Sequence, residues 1–299
     1  ISGIYAGDAE KLSVRHAFPK LWEMERSHGS LLRGQIAEAK ARRAAGKAGA
    51  PKIISFRRGL QTLPHALAAR MPSGVFSLNA RIDRIVPGQS WKVVWQEGET
   101  TRTESFDAVI SALPAAGLSR LVIGTGAERP LTLLDTIPHP PVSSLFLGFK
   151  REQVSHPLDG FGALVPALEK RALLGVIFSS SLFPDRAPPG HVALTVMIGG
   201  ALQPDLAARS GSDLFATVRE DLRELLGVNG EPVFQRHAFW PKAIPQYALG
   251  YDRYLDAIAA CERAYPGFSI GGQVRDGIAL PSCIAAGEKL AARSIACVP

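Results

Sequence analysis

The sequence predicts a mixed α/β fold, in which an α/β part is joined to a second part carrying a mixed or antiparallel sheet. Three stretches carry that reading. Phe106-Asp-Ala-Val-Ile-Ser-Ala-Leu-Pro114 is an apolar run of strand length that stops at a proline, the pattern of a buried strand. Phe268–Ile270 is a second short apolar strand. Gly271-Gly272 end it, Asp276-Gly277 mark a turn, and Pro281 opens a run with Cys283, Ile284, Leu290 and Ile295 at helical spacing. Between Val142 and Gly200, by contrast, strands succeed one another with only polar or Pro/Gly turns between them.

The elements follow in order. Leu12 to Glu38 has helical periodicity through Val14, Phe18, Leu21, Trp22, Met24 and Leu31, with Ser13 as a cap. Ala39 to Ala50 reads as a helix end and linker, and Lys52–Phe56 as a short strand. A helix is expected from His65 to Met71, then strands near Val75–Leu78, Arg81–Val86 and Trp91–Trp95. The second part contributes strands at Ser144–Phe149, Gly162–Val165, Leu174–Phe178 and Val192–Ile198. Ser212–Leu226 is an amphipathic helix with Leu214, Val218, Leu222, Leu225 and Leu226 on one side. Pro232–Trp240 is a strand and Tyr251–Tyr265 a helix.

With 299 residues, 46% hydrophobic and 20% charged, the chain is a folded one of one or two domains. No apolar run is long enough to span a bilayer. Cys261, Cys283 and Cys297 are far apart and no Cys/His cluster has zinc spacing, so no metal is expected. Much of the net charge of +7 lies in Lys40, Arg42, Arg43, Lys47, Lys52, Arg57 and Arg58. A solvated linker is one reading of that cluster and an anionic lipid surface another. Aromatic residues are scarce there and no nucleic-acid motif accompanies it, so nucleic acid is excluded as a partner.

Side-chain catalysts are lacking in pattern: there is no Gly-x-Ser-x-Gly elbow, no His-Glu-x-x-His, and the seven histidines are scattered. No catalytic side chain is therefore expected. The glycine turn at 271–272 before a helix start reads either as an ordinary connection or as a place where backbone N–H groups meet an electron-rich cofactor.

Four ordered stretches decide between these. Ser2-Gly-Ile-Tyr-Ala-Gly-Asp-Ala-Glu-Lys-Leu-Ser-Val-Arg15, Gly160-Phe-Gly-Ala-Leu-Val-Pro166 with Leu174-Gly-Val-Ile177, Ile244-Pro-Gln-Tyr-Ala-Leu-Gly250, and the closing Phe268–Ala292 segment together resemble the amine-oxidase-like flavoproteins. Within them they are most similar to the protoporphyrinogen-oxidising branch. That family opens with a strand–Gly-x-Gly-x-x-Gly–helix unit, which does not occur in this sequence. The resemblance therefore implies the C-terminal part of a longer protein. It implies residues 1–50 as the end of a helical membrane- or substrate-binding domain, and 51–115 and 265–299 as parts of a Rossmann-like FAD-binding domain. Residues 116–264 would form the substrate domain.

The implied cofactor is FAD, met by Gly272, Ile278, Ala279 and Leu280 at the turn and helix start, by Ile82 at the adenine, and by Trp240 near the ring. The implied substrate cavity has Phe161, Gly162, Leu164, Ile177 and Met197 on its wall, residues that without the resemblance read as inward strand positions. The arginine that holds a propionate in relatives falls before Ile1. The implied reaction is oxidation of protoporphyrinogen IX to protoporphyrin IX with molecular oxygen, in haem synthesis. Coproporphyrinogen III oxidation and other amine-oxidase-like reactions use the same fold, and a non-catalytic interaction module is the alternative of another class. A porphyrinogen and oxygen are the expected partners. Peripheral contact with the cytoplasmic membrane, a homodimer and a cytoplasmic location are further expectations.

Overall fold

The computed structural model describes residues 2–46 and 53–295. Lys47, Lys52 and Cys297 lie outside the described residues. Along the chain, the longer helices are α1 (Pro19–His28), α2 (Leu31–Ala44), α3 (Thr62–Ala68), α4 (Gly211–Leu226), α5 (Asp252–Ala264) and α6 (Leu280–Ile295). The strands are β1 (Ala80–Val86), β2 (Trp91–Glu97), β3 (Thr100–Phe106), β4 (Val109–Ser111), β5 (Val122–Ile123), β6 (Val142–Lys150), β7 (Gly162–Leu164), β8 (Leu173–Ile177), β9 (His191–Gly199), β10 (Phe234–Trp240) and β11 (Phe268–Ile270).

The chain divides into two compact units, Ile1–Leu67 with His139–Gln246, and Ala68–Pro138 with Tyr247–Pro299. These boundaries differ from those expected on sequence. Residues 53–67 group with the sheet-bearing unit, and 116–138 and 247–264 with the α/β unit, because helices and strands group by what they pack on.

In the first unit, β10-β6-β9-β8-β7 form one sheet whose pairs are all antiparallel. Side chains alternate across it. Leu145, Leu147, Phe149, Val176, Leu194, Val196 and Ile198 share one face and form the core with Leu214, Phe215, Val218, Leu222 and Leu226 of α4. α4 is capped by Ser210, whose hydroxyl accepts the Asp213 N–H, and stopped by Gly227 in the left-handed region. The single helix expected from Leu12 to Glu38 is broken. Pro19 starts α1, and Gly29, at φ 69°, ends it. Gly34 then lets α2 cross close to α1, since a Cβ there would stand 2.8 Å from the Met24 Cβ. Ser13 makes no side-chain capping bond.

The second unit holds the sheet β3-β2-β1-β5 and the parallel pair β4–β11. β3 was not expected; its polar sequence, exposed throughout, hides it from a search for apolar runs. Two expected strands are absent: Ile53–Phe56 and Val75–Leu78 are irregular. Ile53 and Ile54 find no strand partner, and Arg186 instead holds that segment through the Phe56 carbonyl (2.8 Å) and the Ser55 hydroxyl (2.9 Å). Ile110, on the strand expected to be buried, is half-exposed.

Candidate functional site

In the second unit the carboxyl ends of β4 and β11 lie side by side, and the crevice beyond such ends is where α/β sheets take ligands. The Gly271 N–H continues the ladder by donating to the Ser111 carbonyl (3.0 Å). A Cβ on Gly271 would come within 2.3 Å of Leu290 Cδ1, so this glycine serves the packing of α6. Gly272 adopts φ 95°, and a Cβ there would meet only the Ala112 backbone, at ordinary contact distance. Of the pair, Gly272 is the one that leaves its surroundings open.

The turn that follows is fixed from four sides. Asp276 accepts the Gly272 N–H (2.8 Å). Glu262, on α5, accepts the Ile270 N–H (2.8 Å) and bonds Arg275 (2.7 Å) and Arg293 (3.2 Å). Tyr247 and Tyr251 donate their hydroxyls to the carbonyls of Gln273 and Val274. Burial by itself would raise the Glu262 pKa, but the Ile270 amide and the two guanidinium groups outweigh it and hold the carboxyl below its ordinary value. Burial pushes the Tyr251 hydroxyl well up, so it stays a donor. Ile278, Ala279 and Leu280 then lead into α6, whose first turn includes a bond from the Cys283 N–H to the Ala279 carbonyl (3.1 Å). Ala279 and Leu280 are exposed.

Next to this turn lies a hollow of about 850 Å³ with Ile82, Val93, Trp95, Phe106, Ser111, Ala112 and Leu113 among its walls. Two of its polar atoms are buried without a partner, Trp95 Nε1 and Ser111 Oγ. Buried polar groups are ordinarily satisfied, so an unpaired indole N–H and hydroxyl mark a place for a hydrogen-bonding ligand. Ile82 and Ala112 both line this hollow, and Gly272 adjoins Ala112. Ser111, Ala112 and Trp95 were missed on sequence. The Ser-Ala-Leu-Pro ending of the apolar run was the available signal.

In the first unit the register settles which side chains share the sheet face opposite the core. Gly162 pairs with Ile177, Ile177 with Thr195, Thr195 with Phe146, and Phe146 with Arg236. The next row is Leu164, Gly175, Met197, Ser144 and Ala238, and one row beyond it Val142 faces Trp240. Gly162, Leu164, Ile177, Met197 and Trp240 therefore lie on one face. Leu164 is 60% exposed and Trp240 47%. Met197 and Trp240 also line a cavity of about 270 Å³ with Gly3, Ile4, Val142 and Leu174. Trp240, expected at the flavin, lines this cavity with Met197, which was expected on the substrate wall. Gly162 has a structural reason of its own: at φ 150°, a Cβ would stand 2.1 Å from the Val176 carbonyl oxygen.

Phe161 precedes β7 and is 52% exposed. An aromatic ring left half in solvent contributes little to the core. Phe161→Ala is expected to leave the melting temperature nearly unchanged, which calorimetry checks. Two of the recognised motifs also clasp each other in this unit. Gln246 donates to the Tyr5 carbonyl (2.9 Å), and Gly7 leaves room for it, since a Cβ there would lie 2.0 Å from Gln246 Oε1.

Comparison with known proteins agrees with this architecture. The pattern of the family "Flavin containing amine oxidoreductase" matches residues 1–295. The chain belongs to this family, and the cofactor that the family implies is FAD. Mitochondrial protoporphyrinogen oxidase of Nicotiana tabacum is 34% identical over 310 residues, covering 96% of this chain and 62% of the relative. Protoporphyrinogen oxidase of Bos taurus is 32% identical, covering 99% and 64%. Coproporphyrinogen III oxidase of Bacillus subtilis is 26% identical, covering 96% and 61%. The chain thus spans somewhat over 60% of these relatives' lengths. A crystal structure from Exiguobacterium sp. 255-15 shares the fold with a TM-score of 0.76 at 22% identity, covering 97% of this chain and 60% of that one.

The residues present fit part of such a cofactor. The open Gly272 turn and the partnerless Trp95 and Ser111 atoms supply close backbone approach and hydrogen-bonding capacity.

Proposed function

We propose that this chain belongs to an FAD-dependent oxidase that converts protoporphyrinogen IX to protoporphyrin IX with molecular oxygen as acceptor. The observation that carries the reading is the non-core face of the five-stranded sheet, where Leu164, Ile177, Met197, Phe146 and Trp240 offer a broad apolar floor. A flat macrocycle suits that floor, and the names of the tobacco and bovine relatives point to the same substrate. Oxidation of coproporphyrinogen III is the second reading, favoured by the Bacillus subtilis relative.

FAD, when bound, supplies the acceptor for hydride lost from a methylene bridge. The protein's part is position and exclusion of water. The apolar face desolvates and orients the macrocycle, and a pyrrole nitrogen stabilises the cation that develops. No strong side-chain base is needed. Gly272 leaves room for close approach, the amides at Ile278–Leu280 offer their backbone to the cofactor, and Ile82 and Ala112 line the hollow for its nucleotide end. Peripheral membrane contact falls to the α1–α2 hairpin, where Trp22, Leu32 and Ile36 are exposed beside Lys40, Arg42 and Arg43. Among the described residues, no helix is long and apolar enough to cross a membrane.

FAD titration followed by flavin fluorescence tests the cofactor half. Without a Gly-x-Gly-x-x-Gly unit, these 299 residues are expected to bind FAD weakly, and Ala279→Phe to abolish that binding while leaving the fold intact. Stoichiometric tight binding, or unchanged binding in a folded Ala279→Phe variant, would refute this placement.

A further inference from the structure

The non-core face of the sheet carries a charge that the proposed reaction does not use. Arg236 stands in the middle of β10, between Phe234 and Ala238 on the same face and directly across from Phe146. It is exposed, and among the described residues its side chain makes no hydrogen bond or ion pair. Its neighbours explain why. The face offers no carboxylate in any of its five strands, and its other ionisable residues, Lys150 and His191, stand opposite each other in the register at the far end. Phe146 and Phe234 meet edge to face at 6.1 Å beside it.

The floor around Arg236 is low. Ser144, Gly148, Gly175 and Ala238 are face positions with small side chains, between the taller Phe146, Met197, Leu164 and Trp240. Strands are ~4.8 Å apart, so Arg236 and Ile177, three strands away, are separated by roughly 14 Å. Gly3 and Ile4 roof the opposite end, at Met197 and Trp240. The result is a flat apolar surface, closed at one end, with a lone guanidinium toward the other. Guanidinium is weakly hydrated and matches a carboxylate with two parallel N–H groups.

We propose that Arg236 is a carboxylate anchor on this face, binding an acidic side arm of the tetrapyrrole whose ring lies on the apolar floor. This rests on the porphyrinogen reading and adds to it a residue that sets orientation and selectivity for the free acid. Binding of the stable product type tests it without turnover. Protoporphyrin IX and its uncharged dimethyl ester are titrated into the full chain by fluorescence. The wild type is expected to prefer the acid. Arg236→Gln should weaken acid binding roughly tenfold, about one charge-assisted hydrogen bond, and leave the ester unchanged. Arg236→Lys should restore part of the difference. An unchanged acid affinity in a folded Arg236→Gln variant, or equal losses for acid and ester, overturns the assignment while the porphyrinogen reading stands. Failure of the wild type to bind either compound overturns both.

Discussion

Glu262→Ala is expected to produce the largest effect in the α/β unit: a loss of about 3 kcal/mol of stability together with loss of flavin binding. One buried carboxylate holds three groups at once. Its removal leaves the Ile270 N–H without its acceptor and leaves Arg275 and Arg293 without their anion beside a buried strand. The turn from Gly271 to Asp276 then loses its tie to α5 and α6 together. Glu262→Gln keeps an acceptor for the Ile270 amide and should lose less. The same arrangement sets a pH dependence. The folded-state pKa of Glu262 lies below its ordinary value, so its contribution is fully present above the ordinary carboxylate range. It is lost as the pH falls through the folded pKa. Urea unfolding at several pH values, read beside flavin fluorescence, checks the claim. A wild-type-like pH profile in the alanine variant would show that the turn is held without Glu262.

Phe149→Ala is expected to be the most damaging change in the sheet-bearing unit, costing about 3–5 kcal/mol. Phe149 is fully buried on β6, on the face that packs against α4, and its removal leaves a cavity that Val192, Val154 and Leu158 have little freedom to fill. Phe146, three residues earlier on the opposite face, provides the contrast. Phe146→Ala should cost far less stability and act on substrate binding. Paired denaturation curves and porphyrin titrations separate the two. Similar stability losses for both would mean that the two faces of the sheet are equally dry.

Local pattern was enough where an element's sequence expresses its own surroundings. Phe268–Ile270 is short, apolar at both ends and closed by glycines, and it forms a strand at those bounds. The apolar stripe of Leu214, Val218, Leu222 and Leu226 fixes both a helix and the side it buries. Gly272 was legible because the left-handed conformation it adopts excludes most other residues.

Long-range pairing decided the rest. Ile53–Phe56 has the composition of a strand but no partner strand, and composition cannot supply one. Thr100–Phe106 has a polar sequence and is a strand because β2 offers it an edge. Leu164, Ile177, Met197, Trp240 and Arg236 are scattered through the sequence, and only the register of five strands puts them on a common face. A one-residue shift in any pair would send a strand's whole set of side chains to the opposite face. The sequence by itself therefore determined the locally patterned elements and, through the motifs that carry its resemblance, the cofactor class. Which residues stand together at a site was decided by tertiary packing, because hydrogen-bonded register between distant strands leaves no trace in local spacing.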